Sequence, residues 1–431
     1  MKYLFLVCLI LFSYQSVQGQ DILIKNINIL SIASDKVLKS KSVLIRNGKI
    51  EKIGSFKNLS RNTSCQIING TGRFLMPSLA DMHVHLPKKD KVNHLLQMSV
   101  AAGITHMRIM NNGYPQLALK KDLEKDKDGI APHLFYSYLI KRDFEKTSSV
   151  QMDSLLKEVK KQGIDFIKLY SLANEEVYDH LMTSAKKNNM IVCGHYPHYK
   201  EKDKWKSVGI EKVLKSDLRS IEHLGGYTSL QNEKQLAEAI TLTKKLGIYN
   251  CPTLDWAVMA FDIQYPNDVK NRLTNRVLSS KITKNWAASY KEYLEEIGGE
   301  EKLLSLRAKR KPAFEKKKKV LRLLYEKDCL LLVGSDGERP YQAAGFNLWE
   351  EMKNWSDLGI DNYTILKSAT LNAAKFFRQE HQWGSVEEGK DADLIILNKN
   401  PLLNIENIST LQTTIIKGKV FKPKEIIEKL Y

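Results

Sequence analysis

The sequence predicts an α/β protein, a (β/α)8 TIM-like barrel carrying a small β-sandwich domain formed by both chain ends. Three observations predict it. Eight short apolar runs alternate with amphipathic helical stretches over roughly 260 residues, the number and length of such a barrel. Both ends of the chain are rich in β-branched residues punctuated by Gly. Side chains of metal-ligating type stand at the ends of several of the middle runs.

In chain order, residues 1–19 have the pattern of a signal peptide: Lys2, the apolar "YLFLVCLILF", then "VQG" before Gln20. The apolar run is shorter than the roughly twenty residues of a membrane span, and no later segment reaches that length. An exported chain, periplasmic or secreted and without stable membrane insertion, is expected. From Ile22, "ILIKNINILSI" and "KSVLIRNGKIEKIG" alternate in strand fashion, with "RNGK" as a turn between two of the runs. The texture returns in "DADLIILNKNP" and "LQTTIIKGKVF", so 20–74 and 385–431 form the small domain and 75–384 the barrel.

The eight barrel runs are "LADMHVHL", "ITHMRIM", "HLFYSYLI", "DFIKLYS", "MIVCGHYP", "RSIEHLGG", "GIYNCPTLD" and "LLLVGSDGE". Helical segments such as "DSLLKEVKKQG" and "EEVYDHLMTSAKKNN" separate most of them. After the seventh comes a long charged helical insertion, about 262–327, either a lid or wall over the barrel mouth or a plain helical hairpin.

With 43% hydrophobic and 27% charged residues over 431 positions, a sizeable core is affordable. The net charge of +18 raises the question of nucleic acid. Much of that excess sits in "RAKRKPAFEKKKKVLR", where Glu and apolar residues at helical spacing describe a solvated helix face. No aromatic–basic interleaving accompanies it, so nucleic acid is not an expected partner; a homo-oligomer is compatible with the sequence. Cys65, Cys193, Cys251 and Cys329 are few and far apart, which favours free thiols.

Only ten histidines occur, yet His83 and His85 stand one residue apart. Side chains at i and i+2 of a strand share a face, so two imidazoles project together as half of a metal site. Lys168 in "FIKLYS", His195 in "VCGHYP", His223 in "SIEHLGG" and Asp336 in "VGSDGE" occupy the matching ends of other runs. An isolated His in an apolar run is usually a satisfied core residue, and a lone Asp after a strand a helix cap. Six such residues at matching ends argue instead for one site.

These residues carry a resemblance to the amidohydrolase superfamily, in particular its imidazolonepropionase-like and Xaa-Pro dipeptidase-like branch. "MPSLADMHVH", "GIDFIKLY", "GHYPH", "IEHLGG" and "GSDG" follow the family pattern, as does the late stretch "ILKSATLNAAKFF…WGSVEEGKDADLIIL". Two departures are Ser78, where the family often has Gly, and "MRIMNNG", where relatives often carry an Arg-Asp pair.

The resemblance implies two divalent metal ions, zinc first among the candidates, with carbon dioxide bound as a carbamate on Lys168. By resemblance the carboxylated Lys168 bridges the two ions, His83, His85 and Asp336 hold the more buried one, and His195 and His223 hold the other. The implied reaction is hydrolysis of an amide-type C–N bond by a metal-activated hydroxide, with Asp336 as the catalytic proton carrier. The small-molecule substrate would be a dipeptide, prolyl or hydrophobic first, or a cyclic amide. A lactonase, a hydrolytic deaminase, and a non-catalytic protein binding anionic polymers through its basic surface are the alternatives. His198, Tyr227, Thr253 and Arg339 lie near strand ends as candidates for facing substrate. His94, His106, His133, His180 and His381 have no place in the ligand set.

Overall fold

The structure is a computed structural model that describes residues 21–60, 65–126, 129–142, 147–263, 271–337 and 341–431. The expected signal peptide and Arg339 lie outside the described residues. Nineteen strands are described. They are β1 (Ile22–Ser31), β2 (Lys36–Arg46), β3 (Lys49–Gly54), β4 (Gln66–Asn69), β5 (Phe74–Pro77), β6 (Leu79–Leu86), β7 (Ile104–Asn112), β8 (His133–Phe135), β9 (Ser137–Ile140) and β10 (Phe166–Leu169). Then follow β11 (Ile191–Gly194), β12 (His198–Glu201), β13 (Lys204–Ser207), β14 (Ser220–Glu222), β15 (Tyr249–Cys251), β16 (Leu330–Leu331), β17 (Leu394–Leu397), β18 (Leu411–Ile416) and β19 (Lys419–Phe421).

Strands from the two chain ends share one sheet, in the order β19-β18-β17-β5-β1-β2-β3 with β4 also on β1. Alternation explains its core: Ile22, Ile24, Val43 and Ile45 pack with Leu394, Ile396 and Ile415, while Leu23 and Leu44 turn to the other face and meet Leu59. Asn47 and Gly48 both have positive φ, 52° and 73°, the conformation that the tight turn between β2 and β3 requires. The eight strands are hydrogen-bonded into one continuous sheet where two facing sheets are expected. The physical reason lies in β1, whose register shifts between Ile24 and Ile29 where Asn26 takes a φ of 53°. Such an irregularity disrupts the ladder locally and bends the strand. β5 carries this sheet to Pro77, three residues past the expected boundary.

β6 begins two residues after Pro77, and the middle strands are parallel. One arc runs β6-β7-β8 and another runs β16-β15-β14-β11-β10-β9. The run "HLFYSYLI" is broken at Tyr136, whose N donates to Asp165 Oδ2 at 2.7 Å while its carbonyl accepts from Asp165 N at 2.9 Å. That break lets one segment pair with β7 through its first half and β10 through its second. At their other edges the arcs meet where Met82 N donates to Val333 O at 3.0 Å and Asp336 N to His83 O at 2.8 Å. Asp81 reinforces this junction by accepting from Ser335 N at 3.0 Å and His83 N at 3.1 Å. An apolar cluster including Met82, Met110, Phe166, Leu332 and Phe376 forms a separate core from the one that the surrounding helices share.

The insertion is helical, with helices Ser280–Ile297 and Glu300–Glu326. Part of its basic run is paired on the surface, Lys318 with Glu315, Lys319 with Glu233 and Arg322 with Glu326. Lys317 turns inward instead, and its Nζ donates to the carbonyl of His223. The insertion therefore reaches the ends of the strands that carry the histidines. Cys193, Cys251 and Cys329 are buried free thiols. No described helix is long and apolar enough to cross a membrane.

Candidate metal centre

His83 and His85 project from β6 with ring centroids 5.3 Å apart, the shared face that their spacing requires. Asp336, just beyond β16, meets both: its Oδ1 is 3.3 Å from His83 Nε2 and 3.3 Å from His85 Nε2. These three side chains form a group able to hold a cation. Gly334 makes the approach feasible, since a Cβ there would stand 2.7 Å from His83 Cβ. His223, after β14, brings its Nδ1 within 3.4 Å of Asp336 Oδ2, and its ring centroid lies 4.9 Å from that of His195. His195 follows Gly194, where a Cβ would come within 2.2 Å of Leu169 O, so only glycine lets β11 lie this close to β10.

Lys168 is fully buried in β10, and its Nζ has no hydrogen-bond partner. Burial pushes its pKa down and favours the neutral amine. It is near enough for its charge to push His83, His85, His195 and His223 downward as well, behind the larger effect of burial, which takes His85 to about 4. Neutral imidazoles are the ligating form. Burial also pushes the Asp336 carboxyl up to about 7, a push that a bound cation would oppose.

Under His83 lies a buried charge pair that the sequence reading missed. His83 Nδ1 is 2.8 Å from Glu222 Oε2, and both Glu222 oxygens accept from Arg108 Nη2 at 2.8 Å. Ser220 Oγ donates to Glu222 Oε1 at 2.6 Å. Glu222, His83 and Cys251 also lie close enough to hold an ion, but the partners already on Glu222 make it a support that leaves His83 Nε2 free for the cluster. The signal was in the sequence: Arg108 is a charge inside the apolar "THMRIM" and Glu222 one inside "RSIEH", so each needs the other once buried.

The softer candidates divide. Thr253 Oγ1 is 2.6 Å from His223 Nδ1, so Thr253 supports a histidine of the cluster. Tyr227 is a correction: its ring is buried and its hydroxyl bonds to Thr243 Oγ1 at 2.7 Å, away from the cluster. The apolar "HLGGY" turn packs this ring inward, and the hydroxyl finds its partner on the neighbouring helix Glu233–Leu246. His198 lies on the hairpin β12–β13 with Nδ1 2.9 Å from Tyr196 O and its ring 5.2 Å from that of Trp205. Backbone strain gathers here too: His223, Leu224, Thr253 and Asp336 have φ between 49° and 60°. Non-glycine residues adopt that conformation at a cost of about 1–3 kcal/mol each, and such residues cluster at functional sites.

Parallel strands alternating with helices, with histidines, a lysine and an aspartate converging at the strand ends, define a hydrolase class built around a candidate metal centre. The chain belongs to the amidohydrolase family, whose model matches residues 74–421, and it is accordingly an enzyme, a hydrolase acting on carbon–nitrogen bonds. Among curated proteins it is 23% identical to the 5-methylthioadenosine/S-adenosylhomocysteine deaminase of Caldanaerobacter subterraneus subsp. tengcongensis, over 95% of this chain and 94% of that protein. A shorter stretch, 15% of this chain and 16% of that protein, is 35% identical to the imidazolonepropionase of Idiomarina loihiensis. The structure of a Xaa-Pro dipeptidase with bound methionine superposes with a TM-score of 0.68 at 20% identity, covering 93% of this chain and all of that one. A molinate hydrolase gives 0.68 at 15% identity, over 94% of this chain and 96% of that one. These likenesses show a shared fold of the TIM-barrel type. Family membership sets aside the alternative of a catalytically silent polyanion binder.

Proposed function

We propose that this amidohydrolase cleaves an amide-type C–N bond in a dipeptide or a cyclic amide, at a centre of two divalent ions bridged by a carboxylated Lys168. His83, His85 and Asp336 would hold the more buried ion and His195 and His223 the other, with zinc the first candidate. The observation that carries this reading is Lys168 Nζ, buried without a hydrogen-bond partner and near enough to act on four histidines as well as on the carboxylates of Glu222 and Asp336. A permanent ammonium there would be costly, whereas a neutral amine is the form that takes up carbon dioxide, and the resulting anion suits a site for cations.

Bound divalent ions supply Lewis acidity and a water acidified to near neutrality. The chain's own groups do the rest. Glu222 and Thr253 fix the ring orientations of His83 and His223. Asp336 Oδ1 converges with His83 and His85, and Oδ2, on the His223 side, would take the proton of the attacking water and return it to the leaving nitrogen. Lys317 closes the wall from the insertion; burial pushes it down to about 8. We further propose that the two arcs constitute one (β/α)8 barrel and that the terminal sheet is a domain built from both chain ends.

The full-length deaminase relative motivates a second reading, but hydrolytic deamination at one ion would leave the buried Lys168 without a purpose. Metals per chain, measured by elemental analysis on protein prepared with bicarbonate and ample divalent metal, should fall from the wild type to Lys168→Ala. Equal content in both proteins would remove the bridge.

A further inference from the structure

At the other end of the same strands stands a second group of ligand-type side chains, and we propose that it is a metal site: His106, His133 and Asp393 take one divalent ion of the zinc type. His106 in β7 and His133 in β8 are direct neighbours in the parallel register. Asp393, just before β17, is held from the terminal sheet: its carbonyl accepts from Ser78 N at 3.0 Å and its Oδ1 from Lys417 N at 3.1 Å. That leaves Oδ2 facing the imidazoles, 2.9 Å from His133 Nε2 and 3.7 Å from His106 Nε2.

All three ligand atoms lie within 4.8 Å of one another. Tetrahedral zinc with bonds of about 2.0–2.1 Å keeps its ligand atoms about 3.3 Å apart, so shifts of at most about 1.5 Å complete the set.

Two further observations point to a ligand. His133 Nε2 and Asp393 Oδ2 are buried and face each other at 2.9 Å, a contact that is favourable only while a proton lies between them. A buried polar atom left unmatched is costly, and a cation between them would satisfy both. His106 is also fixed as a ligating histidine would be. Its Nδ1 is engaged by Thr105 Oγ1 at 2.9 Å, Thr105 is bonded in turn to Ser78 Oγ, and the ring stacks on Trp383 at 3.8 Å. Nε2 is thereby left for Asp393 and the ion.

A cavity of about 450 Å³ adjoins the group, lined also by Lys120, Tyr136, Asp165 and Lys417, and offers room for a fourth ligand. With two imidazoles and one carboxylate, the set suits zinc better than the oxygen-seeking magnesium or calcium. The site is separate from the proposed active centre. His106 pairs with Ala80 of β6, whereas His85 pairs with Asn111 five residues further along, about 16 Å up the strand.

Full-length protein, stripped with a chelator and reloaded with Zn²⁺ alone, tests this by elemental analysis and thermal melting. His133→Asn should bind one zinc fewer than the wild type while kcat stays unchanged. In His83→Ala/His85→Ala, Zn²⁺ at a hundredfold its dissociation constant should still raise the melting midpoint by about 3 °C, and adding His133→Asn should abolish that rise. Equal zinc in the wild type and His133→Asn, or no rise in the double variant, overturns the proposal. Should His133→Asn not fold, His106→Gln measured in the same way decides. Neither readout depends on Lys168, so this site and the bridged active centre fail or stand separately.

Discussion

Two histidines and an aspartate meet at each end of the same parallel strands, and the two groups differ in what surrounds them. At the upper end, His83, His85 and Asp336 are joined by His195, His223 and an unpartnered buried Lys168. Three upper residues, His223, Thr253 and Asp336, sit at positive φ. At the lower end none of His106, His133 and Asp393 has positive φ, and the imidazoles lie in a stack with Trp383. Strain and an isolated amine are costly, so their concentration at one end marks where the fold gives up stability for chemistry. The lower group has the ligand atoms without that cost, which suits an ion that braces the barrel strands against the terminal sheet.

The largest expected effect breaks the comparison outright if it fails. Chelation should bring hydrolysis of a dipeptide and cyclic-amide panel to background, and added divalent metal should restore it. His133→Asn should stay within about twofold of the wild type in the same assay, because its ring is some 16 Å of strand away from the upper group. Activity that survives chelation would deprive the upper group of its assigned chemistry; activity that follows His133 would move it to the lower one.

A second effect concerns what lies between the two ends. Arg108 and Glu222 form a wholly buried pair whose carboxylate also supports His83. Arg108→Met leaves Glu222 as an uncompensated charge, at a cost of about 3–5 kcal/mol. For a chain of this length that lowers the melting midpoint by about 3–6 °C. Metal affinity at the upper group should fall about 10–100-fold through the disturbed His83, while zinc on the lower group is unaffected. Unchanged upper affinity would make the pair a fold element only.

The upper group was legible in the sequence because its strongest part is local. A two-residue spacing on one strand puts His83 and His85 on one face before any tertiary contact is known, and strand ends collect the remaining candidates. Arg108 and Glu222 were half legible: each is a charge in an apolar run, but their pairing across 114 positions is a tertiary fact. His106, His133 and Asp393 were not legible as a group. They come from three segments with no shared period, and only the register of β7 with β8 and the return of the chain end beside β5 bring them together. The same return explains where the terminal sheet ends. Pro77 belongs to the terminal sheet because β17 pairs with it, which no window of sequence near residue 77 reveals. Tyr227 misled because nearness to a strand end says nothing of which way a ring turns.

The smallest and most discriminating effect comes from two threonines that do one job at opposite ends. Thr253 Oγ1 stands 2.6 Å from His223 Nδ1 and also donates to Pro252 O at 2.8 Å. A hydroxyl already donating its proton accepts from the imidazole, so Nδ1 carries the hydrogen and Nε2 keeps the lone pair for metal. Thr105 Oγ1 stands 2.9 Å from His106 Nδ1 and bonds in turn to Ser78 Oγ. Thr→Val keeps the branched shape and removes the acceptor, so each change should cost only about 1 kcal/mol of stability. Thr253→Val should weaken metal binding at the upper group by about tenfold and lower turnover with it, with Thr253→Ser restoring both. Thr105→Val should leave turnover alone and reduce only the zinc retained by His83→Ala/His85→Ala protein. Metal titration of the two variants side by side reads both outcomes. Crossed effects, with Thr105 governing turnover or Thr253 governing the lower zinc, would mean that the two ends are coupled through the strands and are not independent sites.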